Sequence, residues 1–255
     1  MFIAQKQLIK NDCNTNKQEY MTAAEVLKQL EEYGDANTKK TLMKHGAREP
    51  FFGVKVADLK KILKRTKKNH ELSLELYKTG NSDAMYLAGL MADETRITEK
   101  QLDEWVDKAY WSYLSEYAVP WVAAETDFGF HLGLKWIESK EERIASAGWS
   151  TLSSFAGVHE DSGLDIGKYS ELLDRAAKEI HSAQNRVKYT MNVFVIAVGS
   201  FIKELNEKAI KIAGQIGSVT VDMAGTACKV PLAKDYIQKV INMNKVGNKR
   251  KSARC

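Results

Sequence analysis

Amphipathic helices follow one another along this sequence from Thr22 onward, with few residues that would stop them. Thr22-x-x-Glu25 and Thr98-x-x-Gln101 both match the capping box, in which a hydroxyl group and a side chain three residues later satisfy each other's backbone N–H groups. The 255 residues include only three prolines, and Asn-Gly hairpin turns between alternating β-branched runs are missing. These features argue against a sandwich or barrel and predict an all-α protein.

Apolar residues at helical spacing predict a series of helices that needs no strand. After the second capping box, for example, Leu102, Trp105 and Val106 fall on one helix face. A dozen or so helices of about 10 to 20 residues cannot all surround one bundle core, so we expect helix pairs stacked into a solenoid, an α-α superhelix. The predicted helices are 22–33, 36–45, 54–68, 70–79, 82–93, 98–109, 111–124, 126–138, 140–156, 164–182, 184–203, 205–215 and 232–243.

The pattern divides the chain into three parts: a flexible extension at 1–20, a helical domain at 21–245 and a basic tail at 246–255 that should be mobile unless an anion orders it. The formal net charge is +5, yet residues 236–255 contain six cations and no acid. The excess positive charge therefore belongs to residues 236–255, which end in the basic tail. It suggests an anionic polymer as partner, although a solubilising end explains it equally well.

Several classes of protein lack support in the sequence. The longest nearly continuous apolar run, 193–202, is about half of the ~20 residues that a membrane span requires, and no secretory signal is evident. Cys13, Cys228 and Cys255 are odd in number and lack zinc-site spacing, which indicates a reducing compartment and predicts a cytoplasmic protein. Phosphate-loop, dinucleotide, serine-hydrolase and zinc-protease motifs are missing, so we expect no metal and no cofactor.

The segment 54–68 combines an apolar stripe with a cationic face. Lys60, Lys64 and Lys68 align at i, i+4 and i+8, and Lys61 and Arg65 flank them. Like charges at this spacing repel one another. The face is either an ordinary solvated surface or a surface that follows a phosphate backbone.

The segment from Trp111 to Trp121 places one carboxylate, Glu116, among aromatic and small residues. A carboxylate beside aromatic rings could stabilise a cation, whereas the simpler interpretation makes the rings core and pairs Glu116 locally. Farther along, polar residues open the apolar helix at 185–192, where they either bond a neighbouring helix or line a groove. Cys228 lies beside Lys229, and a lone cysteine of this kind is usually structural.

Together these segments resemble the AlkD-like DNA alkylation repair proteins over about residues 21–241. The resemblance rests on Phe51-Phe52-Gly53-Val54 before the basic helix with Leu59, on His70-Glu71-Leu72, on the helix from Trp111 to Pro120, and on Lys135-Trp136-Ile137. It implies HEAT-like helix pairs whose basic concave face holds duplex DNA. In active relatives it implies metal-free hydrolysis of the N-glycosidic bond of N3- or N7-alkylated purines.

Anchoring the family motif on Trp111 and Pro120 implies roles for individual residues. Glu116 falls under the catalytic aspartate and is one methylene longer, while Ser112 stands where the second tryptophan is expected. Trp111 and Tyr113 would line the cleft. The expected arginine falls near Ser146 and the later cleft tryptophan near Val193, so three of the four motif positions depart from the family pattern.

The sequence therefore predicts a monomeric DNA-binding protein, nucleoid-associated if bacterial, that is a repair glycosylase or a catalytically altered relative. The alternative is a non-enzymatic module that recognises distorted DNA or a protein partner. The residues expected to hold DNA are Lys60, Lys61, Lys64, Arg65, Lys68, Arg186, Lys188, Lys229, Lys249, Arg250 and Lys251.

Overall fold

The computed structural model describes residues 21–226 and 228–254, and the regular elements within them are helical. The predicted extension at 1–20 and Cys255 lie outside the described residues. Gly34 and Val54 form an isolated antiparallel bridge. The α-helices are α1 Ala23–Glu32, α2 Ala36–Lys44, α3 Val56–Thr66, α4 His70–Lys78, α5 Ser82–Met91, α6 Glu99–Lys108, α7 Val119–Ala124, α8 Gly129–Trp136, α9 Glu142–Val158, α10 Ile166–Glu179, α11 Asn185–Phe201, α12 Asn206–Ile216 and α13 Ala233–Asn242.

Side-chain caps fix where several of these helices begin. Thr22 and Thr98 form complete capping boxes with Glu25 and Gln101, as the sequence predicts. Asn81 accepts hydrogen bonds from the backbone N–H groups of Asp83 and Ala84 in the first turn of α5. Caps of this kind satisfy donors that have no partner inside the helix, so they locate helix starts from the sequence.

The helices stack as pairs in two layers. The inner layer runs α5, α7, α9, α11 and α13, and each of these helices packs on the next. The outer layer consists of α4, α6, α8, α10 and α12, each packed on an inner helix. At the other end α3 packs on α5 and extends the inner layer. This arrangement agrees with the predicted solenoid of helix pairs.

Burial separates the two layers. All ten residues of α5 are buried, as is a continuous run of α9 that ends at Gly157. Outer helices such as α6 bury one stripe, here Leu102, Trp105 and Val106, and expose the rest. A central inner helix such as α5 or α9 is covered by neighbours on several sides, so its sequence is apolar or small over most of its surface, whereas α13 at the end of the layer buries only Ala233 and Ile237.

The inner helices run parallel, because each is followed by an antiparallel outer helix. Their first residues therefore lie along one edge of the layer, where the N–H group of Arg186 in α11 donates to Glu142 at the start of α9 (2.8 Å). Their last residues lie along the opposite edge. We call these the N-terminal edge and the C-terminal edge.

One predicted α-helix is two elements. In place of a single helix at 111–124, a π-helix spans Tyr113–Ala118 and continues into α7. The N–H group of Val119 donates to the carbonyl of Leu114, five residues back. Pro120 has no N–H group, and its ring would crowd the carbonyl of the residue four positions earlier in an α-helix, so the wider turn removes a clash.

The prediction of a mobile basic tail is wrong. The described part of the tail packs on the C-terminal edge, where Ala253 is buried. The side chain of Lys249 is 7% exposed and that of Arg254 is 10% exposed. Carboxylates and helix-end carbonyls of the helical domain supply the partners, so protein groups take the place of the expected anion.

Candidate functional site

A cavity of about 480 Å³ opens at the N-terminal edge. Its walls come from four places in the sequence: the end of α2, the π-helix, the first turns of α11 and the loop before α13. Tyr113, Tyr117 and Tyr189 supply aromatic surface, and Arg186 and Lys229 supply positive charge. The cavity thus combines rings and cations at a helix edge.

Glu116 and Arg186 form a buried ion pair behind this cavity. Arg186 Nε donates to one carboxylate oxygen of Glu116 (2.7 Å), and Nη2 donates to the other (2.6 Å). The Glu116 side chain is 2% exposed and that of Arg186 is 24% exposed. Two parallel bonds between a guanidinium and a carboxylate are the strongest and most directional form of ion pair. Both oxygens of Glu116 are therefore occupied.

Arg186 is held from several sides. Its guanidinium lies over the ring of Tyr189, 4.5 Å from the centroid. Its Nη1 atom contacts the sulfur of Met223 at 3.6 Å in the loop before α13. The sequence predicts that Arg186 contacts DNA. In the structure, its guanidinium is bonded to Glu116 within the protein.

Burial dominates the electrostatics around the pair. Removal from water raises the pKa of Glu116, against the opposing hydrogen bonds and charge of Arg186. Burial works in the other direction on Arg186, and there the bonds and charge of Glu116 prevail and raise its pKa. Burial also raises the pKa of Tyr117 well above its ordinary value, helped by nearby Tyr189 and Glu116. The phenol is therefore neutral at physiological pH.

Trp111 and Tyr113 form a stacked pair, with ring centroids 4.5 Å apart and planes 11° from parallel. Trp111 is buried, and its indole N–H has no hydrogen-bond partner among the described residues. Tyr113 is half-buried and lines the cavity. Of the two rings predicted to line a cleft, Tyr113 reaches the cavity and Trp111 supports it from behind.

The loop between α12 and α13 closes one side of the cavity. Asn185 holds it by two bonds: its amide donates to the carbonyl of Asp222 (2.9 Å), and its amide oxygen accepts from the N–H group of Asp222 (2.7 Å). Asn192 donates to the carbonyl of Pro231 (2.9 Å). The sequence left open whether the polar start of α11 bonds a neighbouring segment or lines a groove. It does both: it bonds the loop before α13, and it lines the cavity.

The cationic face of α3 is only partly available. Lys61 pairs with Asp58 (2.7 Å), Arg65 donates to Gln29 and Lys68 pairs with Glu94. Lys60 and Lys64 are exposed and make no ion pair within the described residues. These two lysines keep the charge that a phosphate contact requires.

The other predicted contacts are divided between the two edges. Lys229 is exposed at the cavity, and Lys188 is half-buried on α11. Lys249 is predicted to hold phosphate, but its ammonium is buried against Asp161 (2.7 Å). Arg250 and Lys251 are exposed at the C-terminal edge, away from the cavity.

Sequence reasoning missed several residues at the site. Tyr117 and His45 line the cavity, and Met223 contacts the buried arginine. Tyr117 lay within the aromatic segment, whereas His45, at the end of α2, has no local signal. Its place in the cavity depends on packing between distant helices.

Two other kinds of feature are absent from the described part of the chain. No group of three or more His, Cys, Asp or Glu residues is arranged to hold a metal ion there. No helix there has the length and apolar character to cross a membrane.

Comparisons with known proteins agree with this architecture. The family model for DNA alkylation repair enzyme matches residues 26–226. Uncharacterised proteins of Listeria innocua serovar 6a (Lin0241) and Listeria monocytogenes serovar 1/2a (Lmo0209) are each 34% identical to this chain, over 84% and 85% of it and over 95% and 96% of their own lengths.

A solved structure is similar over 92% of this chain and 100% of its own, with 38% identity and a TM-score of 0.85. It belongs to a new family of proteins related to the HEAT-like repeat DNA glycosylases with affinity for branched DNA structures. The predicted all-α fold of HEAT-like pairs is confirmed by this match, and the predicted kinship by the family model.

Proposed function

Since this chain belongs to the DNA alkylation repair enzyme family, we propose that it binds branched or distorted DNA along the N-terminal edge without hydrolysing the glycosidic bond. Its similarity to a solved protein with affinity for branched DNA supports the choice of ligand. The pairing of Glu116 with Arg186 supports the absence of hydrolysis.

The proposal rests on one observation: both carboxylate oxygens of Glu116 accept hydrogen bonds from Arg186. Glycosidic bond cleavage develops positive charge on the sugar, and a carboxylate promotes it when the negative charge faces that sugar. Glu116 is buried, and both of its oxygens accept bonds from a guanidinium of opposite charge. The net field of the pair at a bound sugar is close to that of a neutral group.

The N-terminal edge has features that suit DNA. Parallel helices place the positive ends of their dipoles along this edge, which favours phosphate groups. Lys229 is exposed at this edge, and Lys60 and Lys64 are exposed on α3, where they add positive charge at the end of the inner layer. Tyr113 presents a ring on which an unpaired base at a branch point can stack. The proposed species is a monomer in the cytoplasm, where reducing conditions suit the free thiol of Cys228.

DNA binding is tested by fluorescence anisotropy with a four-way junction and with linear duplex of equal length. We expect tighter binding of the junction, and a slope near −5 for log K against log salt if about six phosphates are contacted. Replacing Lys60, Lys64 and Lys229 together by alanine should reduce the magnitude of that slope by about 3.

Lys178→Ala on the outer helix α10 is the matched control and should leave the slope unchanged. Equal loss in the control and the triple variant would contradict the proposed surface. Absence of junction binding at low salt would discard DNA as the ligand and leave a protein partner.

Hydrolysis is tested by base release from duplex that contains 7-methylguanine. We expect release no faster than the spontaneous rate, with or without the Glu116→Gln substitution. Enzymatic release that Glu116→Gln abolishes would show instead that the carboxylate separates from Arg186 on binding and acts on the sugar.

A further inference from the structure

Residues 247–254, which we call the strap, cross the ends of four inner helices in reverse order. The N–H group of Gly247 donates to the Ser200 carbonyl in α11 (2.9 Å), and that of Arg250 donates to the Gly157 carbonyl in α9 (2.7 Å). The N–H group of Ala253 then donates to Glu125, the residue that ends α7 (2.7 Å). The strap thus donates backbone N–H groups to α11, α9 and the end of α7 in turn; the first two acceptors are backbone carbonyls and the third is the Glu125 carboxylate.

Two buried cations of the strap each join neighbouring helices. Lys249 Nζ donates to the carbonyl of Ala156 in α9 (2.9 Å) and to that of Phe201 in α11 (2.7 Å). Arg254 donates to the carbonyl of Ala92, which ends α5 (2.6 Å), and pairs with Glu125 at the end of α7 (2.9 Å). Together they connect α9 with α11 and α5 with α7.

The chemistry of helix ends explains why cations occupy these positions. The last four carbonyls of a helix have no partner within it, and the helix dipole places partial negative charge there. In a layer of parallel helices these negative ends lie side by side and repel. Lys249 and Arg254 satisfy some of the carbonyls and offset the repulsion, so they favour closely spaced helix ends.

We propose that the strap sets the spacing of the inner helices, and that Lys249 and Arg254 are thereby positioning residues for the groove at the opposite edge. The helices α9 and α11 each have 17 residues and are about 25 Å long. Because these helices are rigid, a change in the spacing or angle of their C-terminal ends also moves their N-terminal ends. The spacing of the C-terminal ends therefore governs the separation of Arg186, Tyr113 and their neighbours around the cavity. The consequence for DNA selectivity rests on the proposed function.

The test compares the double variant Lys249→Ala/Arg254→Ala with Lys251→Ala, which removes an exposed cation from the same strap. Hydrogen exchange measured on the full chain should show slow exchange for the amides of Gly247, Arg250 and Ala253. Exchange should be at least tenfold faster in the double variant and unchanged in Lys251→Ala. X-ray scattering should show a larger maximum dimension for the double variant alone.

Selectivity is measured as the ratio of the dissociation constants for linear duplex and four-way junction. We expect the ratio to fall at least threefold in the double variant while the salt slope stays the same, because neither cation contacts phosphate. The single variant Arg254→Lys keeps the charge and leaves Lys249 unchanged. Its ratio should lie between those of the double variant and the wild type. Circular dichroism verifies that each variant is helical. If the double variant does not fold, Arg254→Lys alone is compared with Lys251→Ala.

Each outcome bears on a separate statement. Fast amide exchange in the wild-type strap would overturn the strap itself. Slow exchange with an unchanged dimension and ratio would overturn its effect on the groove, and a flatter salt slope would show that the cations bind phosphate. If no DNA binds to the wild type, the proposed function fails, and exchange and scattering still decide whether the strap spaces the helices.

Discussion

The two edges of the inner layer are built from the same helices, yet they are closed in different ways. At the N-terminal edge, Arg186 of α11 neutralises Glu116 of the π-helix, and a cavity of about 480 Å³ remains open beside the pair. At the C-terminal edge, a separate segment supplies Lys249 and Arg254 and covers the helix ends. At one edge a separate segment joins the helix ends, and at the other the helices themselves line a cavity.

The cations paired within the fold and the cations left exposed lie in different parts of the sequence. The basic tail contributes most of the formal excess of positive charge. Its two buried cations, Lys249 and Arg254, are paired with carboxylates and bonded to carbonyls of the helical domain. Lys60, Lys64 and Lys229 belong to a nearly neutral helical domain and remain exposed. Net charge along the sequence is thus a poor guide to which cations remain exposed in the folded protein.

The largest expected effect on stability comes from breaking the buried pair at the N-terminal edge. Glu116→Gln leaves the guanidinium of Arg186 without its counter-charge in a mostly buried place, and we expect a loss of about 3 kcal/mol in the free energy of unfolding. This value is at the low end for buried pairs because part of Arg186 is exposed. Urea unfolding measures it.

Glu138→Gln is the control, because Glu138 pairs with Arg175 at the surface and should cost about 0.5 kcal/mol. Replacing Arg186 by methionine in the Glu116→Gln background should recover at least half of the loss. Equal costs for the two single variants would show that the pair at the N-terminal edge is not special.

A smaller effect is expected where the chain turns onto the C-terminal edge. Gly247 has a φ of 78°, and a Cβ atom there would lie 2.4 Å from Cε of Lys203. Gly247→Ala should therefore cost about 1 to 2 kcal/mol in thermal or urea unfolding.

Gly214→Ala provides a control of opposite sign. Gly214 is exposed within α12, and an added Cβ atom would meet nothing closer than Lys234 at 4.0 Å. Alanine should stabilise this helix by about 0.5 kcal/mol or more. A neutral Gly247→Ala substitution would mean that the strap does not depend on this turn.

The smallest expected effect is a pH dependence of the strap. Partial burial acts to raise the pKa of Glu94, but the bond from Lys68 and the charge of Arg254 outweigh it, so the pKa lies below its ordinary value of 4.5. A carboxylate with a lowered pKa contributes stability above its unfolded pKa and loses it as the pH falls through the folded pKa. The stability difference between wild type and Arg254→Ala should therefore shrink below about pH 4.5 and be constant near neutrality. Urea unfolding at a series of pH values checks this, and a difference that grows towards low pH would contradict it.

Local patterns predicted most of the helical framework. Periodic apolar residues and caps such as Thr98 and Asn81 act within a few residues, so they are legible before any tertiary contact forms. The π-helix was not predicted, because the apolar pattern at 113–118 fits an α-helix of 3.6 residues per turn as well as it fits the wider π-helix. The presence of Pro120 within the segment was the available signal.

The site was only half predictable. Glu116 and Arg186 were both identified from their own segments, but they are separated by 70 residues and nothing in either segment names the other as partner. The tail was misread for the same reason. Its cations are adjacent in sequence, whereas Asp161, Glu125 and Glu94 come from three distant places.

The strap also has a consequence for synthesis. The contact between Arg254 and Leu90 joins residues 164 positions apart, so it ranks among the longest loops that folding must close. Because translation proceeds from the amino end, the carbonyls at the end of α5 are exposed to solvent until nearly all of the later helices have left the ribosome. Arg254 can therefore contact the end of α5 only after α6 to α13 have been synthesised.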